Sequence, residues 1–297
     1  MSAWADKPER GSAWLIHLIV WLARAIGRPL CRALLLPIVA YFVATDSTAR
    51  RASREFLGLA TGRRAGLREV FAHVHAFAST LLDRVYMAAG EFDRFELEID
   101  GLAVLDRALA QGHGCVLLGS HLGSFDLMSL AHRALDGREV HLMMRVDPNS
   151  RARRIAGIDD QRMNLIQLGR PDSYLRAYEV LKRGGVVAVL ADRAEGGVSL
   201  QADFLGRPAA LPVGPHVLAA RAQAPCVLCF GLYEGGRRYR VRFVAFDAGP
   251  AQVPAAHAQQ PAVDRYAALL AEQARRTPLN WFNFYPFWDS VAQRGRR

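Results

Sequence analysis

The residues best suited to chemistry lie in one short stretch, 116–127, which reads VLLGSHLGSFDL. An apolar run fit for a buried strand ends at Gly119-Ser120, His121 stands at the turn, and an amphipathic helix is expected to begin a few residues later. Ligand and catalytic groups in open α/β sheets gather at the carboxyl ends of strands, where His121 is placed. On one continuous helix, positions 121 and 126 would lie about 140° apart and could not meet. With His121 in the turn and Gly123 relaxing the backbone, Asp126 on the first helical turns can reach back to the ring. A carboxylate that holds an imidazole in one tautomer makes it a general base, here for a hydroxyl proton. Ser124 does not make the stretch a serine hydrolase, because no G-x-S-x-G elbow surrounds it or occurs elsewhere. A second reading stays open at this point, in which His121 is a helix-cap histidine satisfied by Asp126.

Two further apolar runs end in charge. Arg145 closes the run 140–145, and its guanidinium could grip an anion bidentately or form an ordinary surface ion pair. Asp192 and Arg193 follow the run 186–191. Gly206-Arg207-Pro208 has turn chemistry. His73 and His75 sit two apart on a helical pattern, diverge in direction and lack a third ligand nearby, so they read as packing or surface histidines. Cys31, Cys115, Cys226 and Cys229 occupy apolar surroundings. The last two have the spacing of half a zinc site, but no second pair completes it, and they read as buried thiols. The box 281–288, WFNFYPFW, could be core, interfacial belt or base-stacking platform; core packing with partial interface contact suits it best.

The elements that must position these groups follow from periodicity. Strands are expected at 115–119, 140–145, 186–191, 226–231 and 239–246. Helices are expected at 103–111, 125–135, 151–161, 173–183, 213–223 and 263–276. Such alternation marks an α/β domain. Residues 49–87 repeat apolar side chains at three- and four-residue steps and form a helical, basic shoulder. Before them lie two apolar runs, 14–23 and 33–43, separated by Arg24, Gly27, Arg28, Pro29 and Arg32. Each is shorter than the roughly 20 residues of a spanning helix, and a single span would carry arginines near mid-membrane. A monotopic hairpin or interfacial helix pair is therefore expected, and Asp6 and Glu9 argue against a cleaved signal peptide. The chain thus divides into a membrane-attaching segment, 1–48, and a catalytic domain, 49–297. A formal charge of +10 over 297 residues points to an anionic partner. Nucleic acid is disfavoured, since the basic residues do not interleave with the aromatic box and no nucleic-acid motif occurs.

His121, four residues and Asp126 resemble the H-x4-D/E signature of the glycerolipid (lysophospholipid) acyltransferase superfamily, and the surrounding sequence is similar to its late lipid A (lauroyl/myristoyl) branch. Tyr41-Phe42 with residues 49–57 resembles that family's entry helix. Phe204-Leu205-Gly206-Arg207-Pro208, followed by Leu211-Pro212-Val213-Gly214-Pro215 and Leu218-Ala219, resembles its F-x-G-R-P and P-x-G-x-x-x-L-A block. The aromatic box resembles the C-terminus of a subgroup, so the likeness runs from about residue 14 to residue 288. It implies a central mixed sheet flanked by helices, with N-terminal membrane-associated helices. It further implies an O-acyltransferase at the cytoplasmic face of a bacterial inner membrane, with acyl carrier protein as donor, a lipid A precursor or related glycolipid as acceptor, and no metal or organic cofactor. His121 would be the base and Asp126 its partner. Arg145, Asp192, Arg193, Gly206 and Arg207 would contact substrate. The block 192–197, DRAEGG, departs from the family's D-x-D/H-x-G context, which leaves a polyene pigment lipid as another acceptor. A thioesterase or lipid hydrolase using the same pair, and a non-catalytic membrane-binding protein, are the rival readings.

Overall fold

The computed structural model describes residues 13–124, 127, 140–145, 164–194, 197–247 and 255–288, with backbone alone at 13–24. Its centre is a seven-stranded mixed sheet: β1 (Glu96–Asp100), β2 (Cys115–Gly119), β3 (Val140–Arg145), β4 (Leu165–Leu168), β5 (Val186–Leu190), β8 (Cys226–Gly235) and β9 (Arg238–Ala245). The strand order is β1-β9-β8-β2-β5-β3-β4. The five strands from β8 to β4 run parallel, while the β8/β9 hairpin turns β9 and its parallel neighbour β1 the other way. Strands β2, β5, β3 and β8 therefore point to one edge of the sheet.

Parallel strands covered on both faces need apolar side chains on both faces, hence the unbroken run CVLLG in β2, every residue of which is buried. Its residues alternate between two cores. Val116 and Leu118 pack with Val187, Val189, Leu228 and Phe230 on one side, together with α2 (Ser47–Thr61), α5 (Ser173–Lys182), α6 (Gly214–Ala222) and α7 (Gln260–Arg276). Cys115 and Leu117 pack with Val186, Ala188, Val227 and Val241 on the other, against α3 (Leu67–Ala88) and α4 (Leu102–Leu109). Each such Val or Leu stabilises the fold by about 1.5–3 kcal/mol relative to exposure. The expected helices 125–135 and 151–161 lie outside the described residues.

Two strands and a hairpin add to the sequence expectation. β1 and β4 are short outer strands, and β6 (Ser199–Phe204) pairs with β7 (Arg207–Pro212) as a separate antiparallel hairpin. The turn between them has Leu205 at φ 59° and Gly206 at φ 82°, the all-left-handed geometry of a two-residue hairpin turn.

The N-terminal segment α1 (Ala13–Thr45) is two helices joined at Gly27, whose φ of 77° and ψ of 166° break the helical run, and Pro29 opens the second half. Beyond the kink Arg28 is buried and bound through Nε and Nη2 to both oxygens of Asp83 on α3, at 2.7 and 2.8 Å. The Tyr239 hydroxyl donates to Asp83 at 2.7 Å. Removing one partner of such a buried pair typically costs about 3–5 kcal/mol, so this half of α1 is fastened to the core. Its opposite side carries Leu30, Leu34, Ile38 and Tyr41, all exposed. The stretch Ala25–Thr45, 21 residues, is long and apolar enough to cross a membrane by length and composition.

Candidate active site

Strand β2 ends at Gly119, whose carbonyl accepts the buried Tyr266 hydroxyl of α7 at 2.8 Å. His121 follows two residues later. Its main-chain N–H donates to Asp192 Oδ2 at 3.0 Å, and its Nδ1 lies 2.9 Å from Asp192 Oδ1. Asp192 stands just past the end of β5, the strand bonded to β2, so parallel neighbours deliver both groups to one edge. A carboxylate accepts only, which puts the ring proton on Nδ1 and leaves the lone pair of the neutral imidazole on Nε2. The His121 side chain keeps 28% exposure while that of Asp192 keeps none.

Burial alone would push the Asp192 carboxyl up. The nearby His121 ring, its hydrogen bond and the Arg193 guanidinium outweigh burial and hold the carboxyl well below the usual carboxylate range. The acid is therefore ionised at neutral pH, in the state that can steady an imidazolium.

The C-terminal aromatic segment closes the back of this site. Trp281, fully buried, donates its indole Nε1–H to Asp192 Oδ2 at 3.1 Å. Phe282 N–H donates to the His121 carbonyl at 3.0 Å, and Gly123 N–H to the Asn280 carbonyl at 2.6 Å. The Asn280 side chain is tied to both main-chain polar atoms of Tyr233 on β8. Gly123 passes so close to β8 that a Cβ would sit 2.0 Å from the Gly231 carbonyl, and its φ is 91°. This glycine lets the His121 loop lie on the sheet. The Trp281 ring packs on Phe56, Phe204 and Phe287 at centroid distances of 4.7, 5.1 and 4.9 Å.

The other sequence candidates fall as follows. Asp126 lies outside the described residues; among the described residues, the carboxylate that meets the His121 ring is that of Asp192. Arg145 ends β3, the next strand beyond β5, is exposed, and stands on the same sheet edge about 10 Å from His121 by strand spacing. Arg193 donates from Nη2 to the Phe282 carbonyl at 2.9 Å and covers the Tyr285 ring at 5.3 Å, so it braces the aromatic segment. Gly206 lies in the β6/β7 turn, and Arg207 opens β7 opposite Phe204. Arg207 is paired with Glu55 on α2, and both line an open groove of about 670 Å³ together with Arg54 and Arg64.

His73 is buried, with Nε2 3.0 Å from the Trp281 carbonyl and Nδ1 2.9 Å from Ser53 Oγ. Burial pulls it down to about 4, as expected of a packing histidine. Burial also pushes the Cys226 and Cys229 thiols up to about 12, away from thiolate chemistry. Among the described residues no cluster of three His, Cys, Asp or Glu is arranged to hold a metal ion. What the sequence reading did not find is the role of Trp281 and Asn280. The box was visible as aromatic, but nothing local says that one indole N–H meets a carboxylate 89 residues away.

A neutral imidazole with an ionised carboxylate on Nδ1, at the carboxyl edge of a parallel sheet, can take a proton from a hydroxyl. Comparisons with known proteins agree in kind. The chain is 29% identical over 206 residues to phosphatidylinositol mannoside acyltransferase from each of two strains of Mycobacterium tuberculosis, covering 67% of this chain and 62% of those proteins. It thus spans about three-fifths of the length of the curated relatives it matches. The family model described as bacterial lipid A biosynthesis acyltransferase matches residues 2–290, nearly the whole chain, and the protein belongs to that acyltransferase family.

Proposed function

We propose that the protein is an O-acyltransferase that moves a fatty acyl chain from an acyl carrier protein thioester to a hydroxyl of a lipid A precursor or related glycolipid. His121 is the general base and Asp192 the carboxylate that orients it. The observation that carries this reading is the 2.9 Å contact between His121 Nδ1 and the buried, ionised Asp192. The acceptor hydroxyl gives its proton to Nε2 as its oxygen attacks the thioester carbonyl. The C–S bond then breaks, and the imidazolium returns the proton to the departing thiol. Atoms and charge balance without an acyl-enzyme. The mycobacterial relatives' name supports an acceptor of the glycolipid class, with a polyene pigment lipid as the other candidate.

Arg145 stands where a donor or acceptor phosphate could be held, and Arg193 acts by bracing the wall. The net charge of +10 draws an acidic carrier protein at a rate that falls with salt, and the groove lined by Arg54, Arg64 and Arg207 with Glu55 lies on that surface. The second half of α1 attaches the enzyme to the cytoplasmic face of a bacterial inner membrane, while residues 49–297 carry the chemistry. Between Arg32 and Asp46 the helix has no charge, yet at about 1.5 Å per residue that stretch reaches only about 20 Å. A hydrocarbon core is about 30 Å thick, and Arg28 is fastened to Asp83, so the helix lies in the interface.

Product analysis with a labelled acyl carrier protein thioester, with and without membrane lipid, separates transfer from hydrolysis. We expect label in lipid, and a loss of at least about 100-fold in His121→Ala. Label appearing only as free fatty acid points to the thioesterase reading, and an unaltered His121→Ala rate to a non-catalytic one. Asp192→Asn tests the orienting carboxylate. A larger loss in Asp126→Asn than in Asp192→Asn transfers that role to Asp126.

A further inference from the structure

We propose that the Trp281 indole N–H is a positioning group for the reaction, fixing Asp192 so that Asp192 can fix His121; this rests on the general-base reading above. The Asp192 carboxylate has one oxygen for the ring and one shared between the His121 main-chain N–H and Trp281 Nε1–H. With only the two contacts to His121, the carboxylate could swing together with the histidine loop. The indole supplies an anchor from a separate part of the chain, and that anchor is itself immobilised.

Four constraints hold Trp281; three are independent of the His121–Asp192 pair, and the fourth, its main-chain bridge to Leu122, is made through the His121 carbonyl and the Gly123 N–H. Its carbonyl meets His73 Nε2, and because a carbonyl only accepts, that nitrogen carries the proton and Nδ1 accepts from the Ser53 hydroxyl. Its main chain bridges Leu122. The preceding Asn280 is locked to Tyr233. Its ring is wedged among Phe56, Phe204, Phe287 and Trp288 with no exposed surface. A rigid donor of this kind holds a first-rank side chain to the tolerance that proton transfer demands. A plain core tryptophan needs only the packing; here the single polar atom of the side chain is aimed at the carboxylate.

The indole N–H also tempers the charge of Asp192. Without it the carboxylate keeps more of its negative charge and attracts an imidazolium more strongly. The test replaces Trp281 in the full chain with β-(3-benzothienyl)alanine, which keeps the bicyclic shape and has no N–H, and in parallel with Phe. The probe is release of a labelled acyl group from its carrier protein thioester, into lipid and into water. We expect kcat lowered about 10-fold or more, KM within about twofold, the acid limb of the pH–rate profile moved to higher pH, and a melting temperature lowered by less than about 10 °C for the benzothienyl variant. Unchanged kcat and pH profile in that variant, or a loss seen only as raised KM with the acid limb in place, overturns the proposal. His121→Ala and Asp192→Asn run alongside keep the two ideas apart. If both are inactive while the benzothienyl variant is normal, the positioning role alone falls; if both remain active, the general-base reading falls.

Discussion

The two ends of the chain carry apolar segments of similar texture and opposite fate. Residues 33–45 of α1 hold no charged side chain, and Leu34, Leu36, Ile38, Tyr41 and Phe42 are exposed. Residues 281–288 are as rich in large apolar groups, and Trp281, Phe287 and Trp288 are buried. Polar punctuation separates them. The C-terminal box has neighbours that must be satisfied inside: the Trp281 N–H on Asp192, the Trp281 carbonyl on His73, and Asn280 on Tyr233. Those bonds pull the rings inward, and the packing then excludes water around the carboxylate. The α1 helix satisfies its own backbone and needs the core only along the edge of Arg28, Cys31 and Val39, which leaves its other side to a different solvent. Equal hydrophobicity therefore does not mean equal duty: one segment builds a dry wall behind His121 and Asp192, the other a surface.

Truncation in the wall is expected to give the largest change. Phe287→Ala removes a ring packed at 4.9 Å on Trp281 and should cost about 3–5 kcal/mol, read as a lowered denaturant midpoint with unchanged slope. A cost below about 1 kcal/mol would mean that the box is not core. Next comes pH. His73, behind the wall, and His216, stacked on Phe246, are both pulled by burial down to about 4, against about 6.5 in an unfolded chain. Their folded values are depressed, so the unfolded state binds protons first. Stability is intact above about pH 6.5 and falls as pH drops toward 4, by up to roughly 3 kcal/mol for each histidine. In His73→Gln urea titrations between pH 7 and 4.5 this slope should flatten; an unchanged slope would remove His73 from the account. The second half of α1, from Ala33 to Thr45, contributes nothing to it, having no titratable group besides Tyr41.

How much of this was readable in the sequence follows from where the information sits along the chain. Central strands are buried on both faces, so β2, β3 and β5 appear as unbroken apolar runs and their bounds were legible almost to the residue. β1, with the sequence ELEID, is half-covered and charged, and β4 is only four residues long, so neither stands out. The β6/β7 hairpin contains Pro208 and Pro212, which read as loop in a sequence although an outlying hairpin tolerates them. His121 was legible because a strand end, a turn and a glycine are local features. That the Asp192 carboxylate meets its ring was not legible, since Asp192 is 71 residues away and is brought near only by the pairing of β2 with β5. Asp192 was recognised as a strand-end acid, but which neighbouring strand it faces is a property of topology.

The smallest expected change in stability, and the one that tests the other half of the comparison, is Leu34→Asp. Leu34 is 45% exposed on the side of α1 that faces away from Arg28 and Val39, so a carboxylate there loses little packing and should alter the unfolding free energy by no more than about 0.5 kcal/mol. The same charge placed against lipid has to be kept in the headgroups, which shortens the apolar contact between Leu30 and Tyr41. Arg50, bonded to the Val43 and Ala44 carbonyls at the C-terminal end of α1, supplies positive charge for anionic lipid. Flotation with vesicles of phosphatidylcholine and phosphatidylglycerol should therefore show the wild-type protein bound and the variant at least about 10-fold weaker. Wild-type binding should also yield to alkaline carbonate, since an in-plane helix is extractable and a spanning one is not. Equal flotation of the variant would assign attachment to residues 13–24 or to the basic surface, and resistance to carbonate would make α1 a span. A variant that merely becomes monomeric from a dimer, with flotation unchanged, would show the face to be covered by a second copy of the chain.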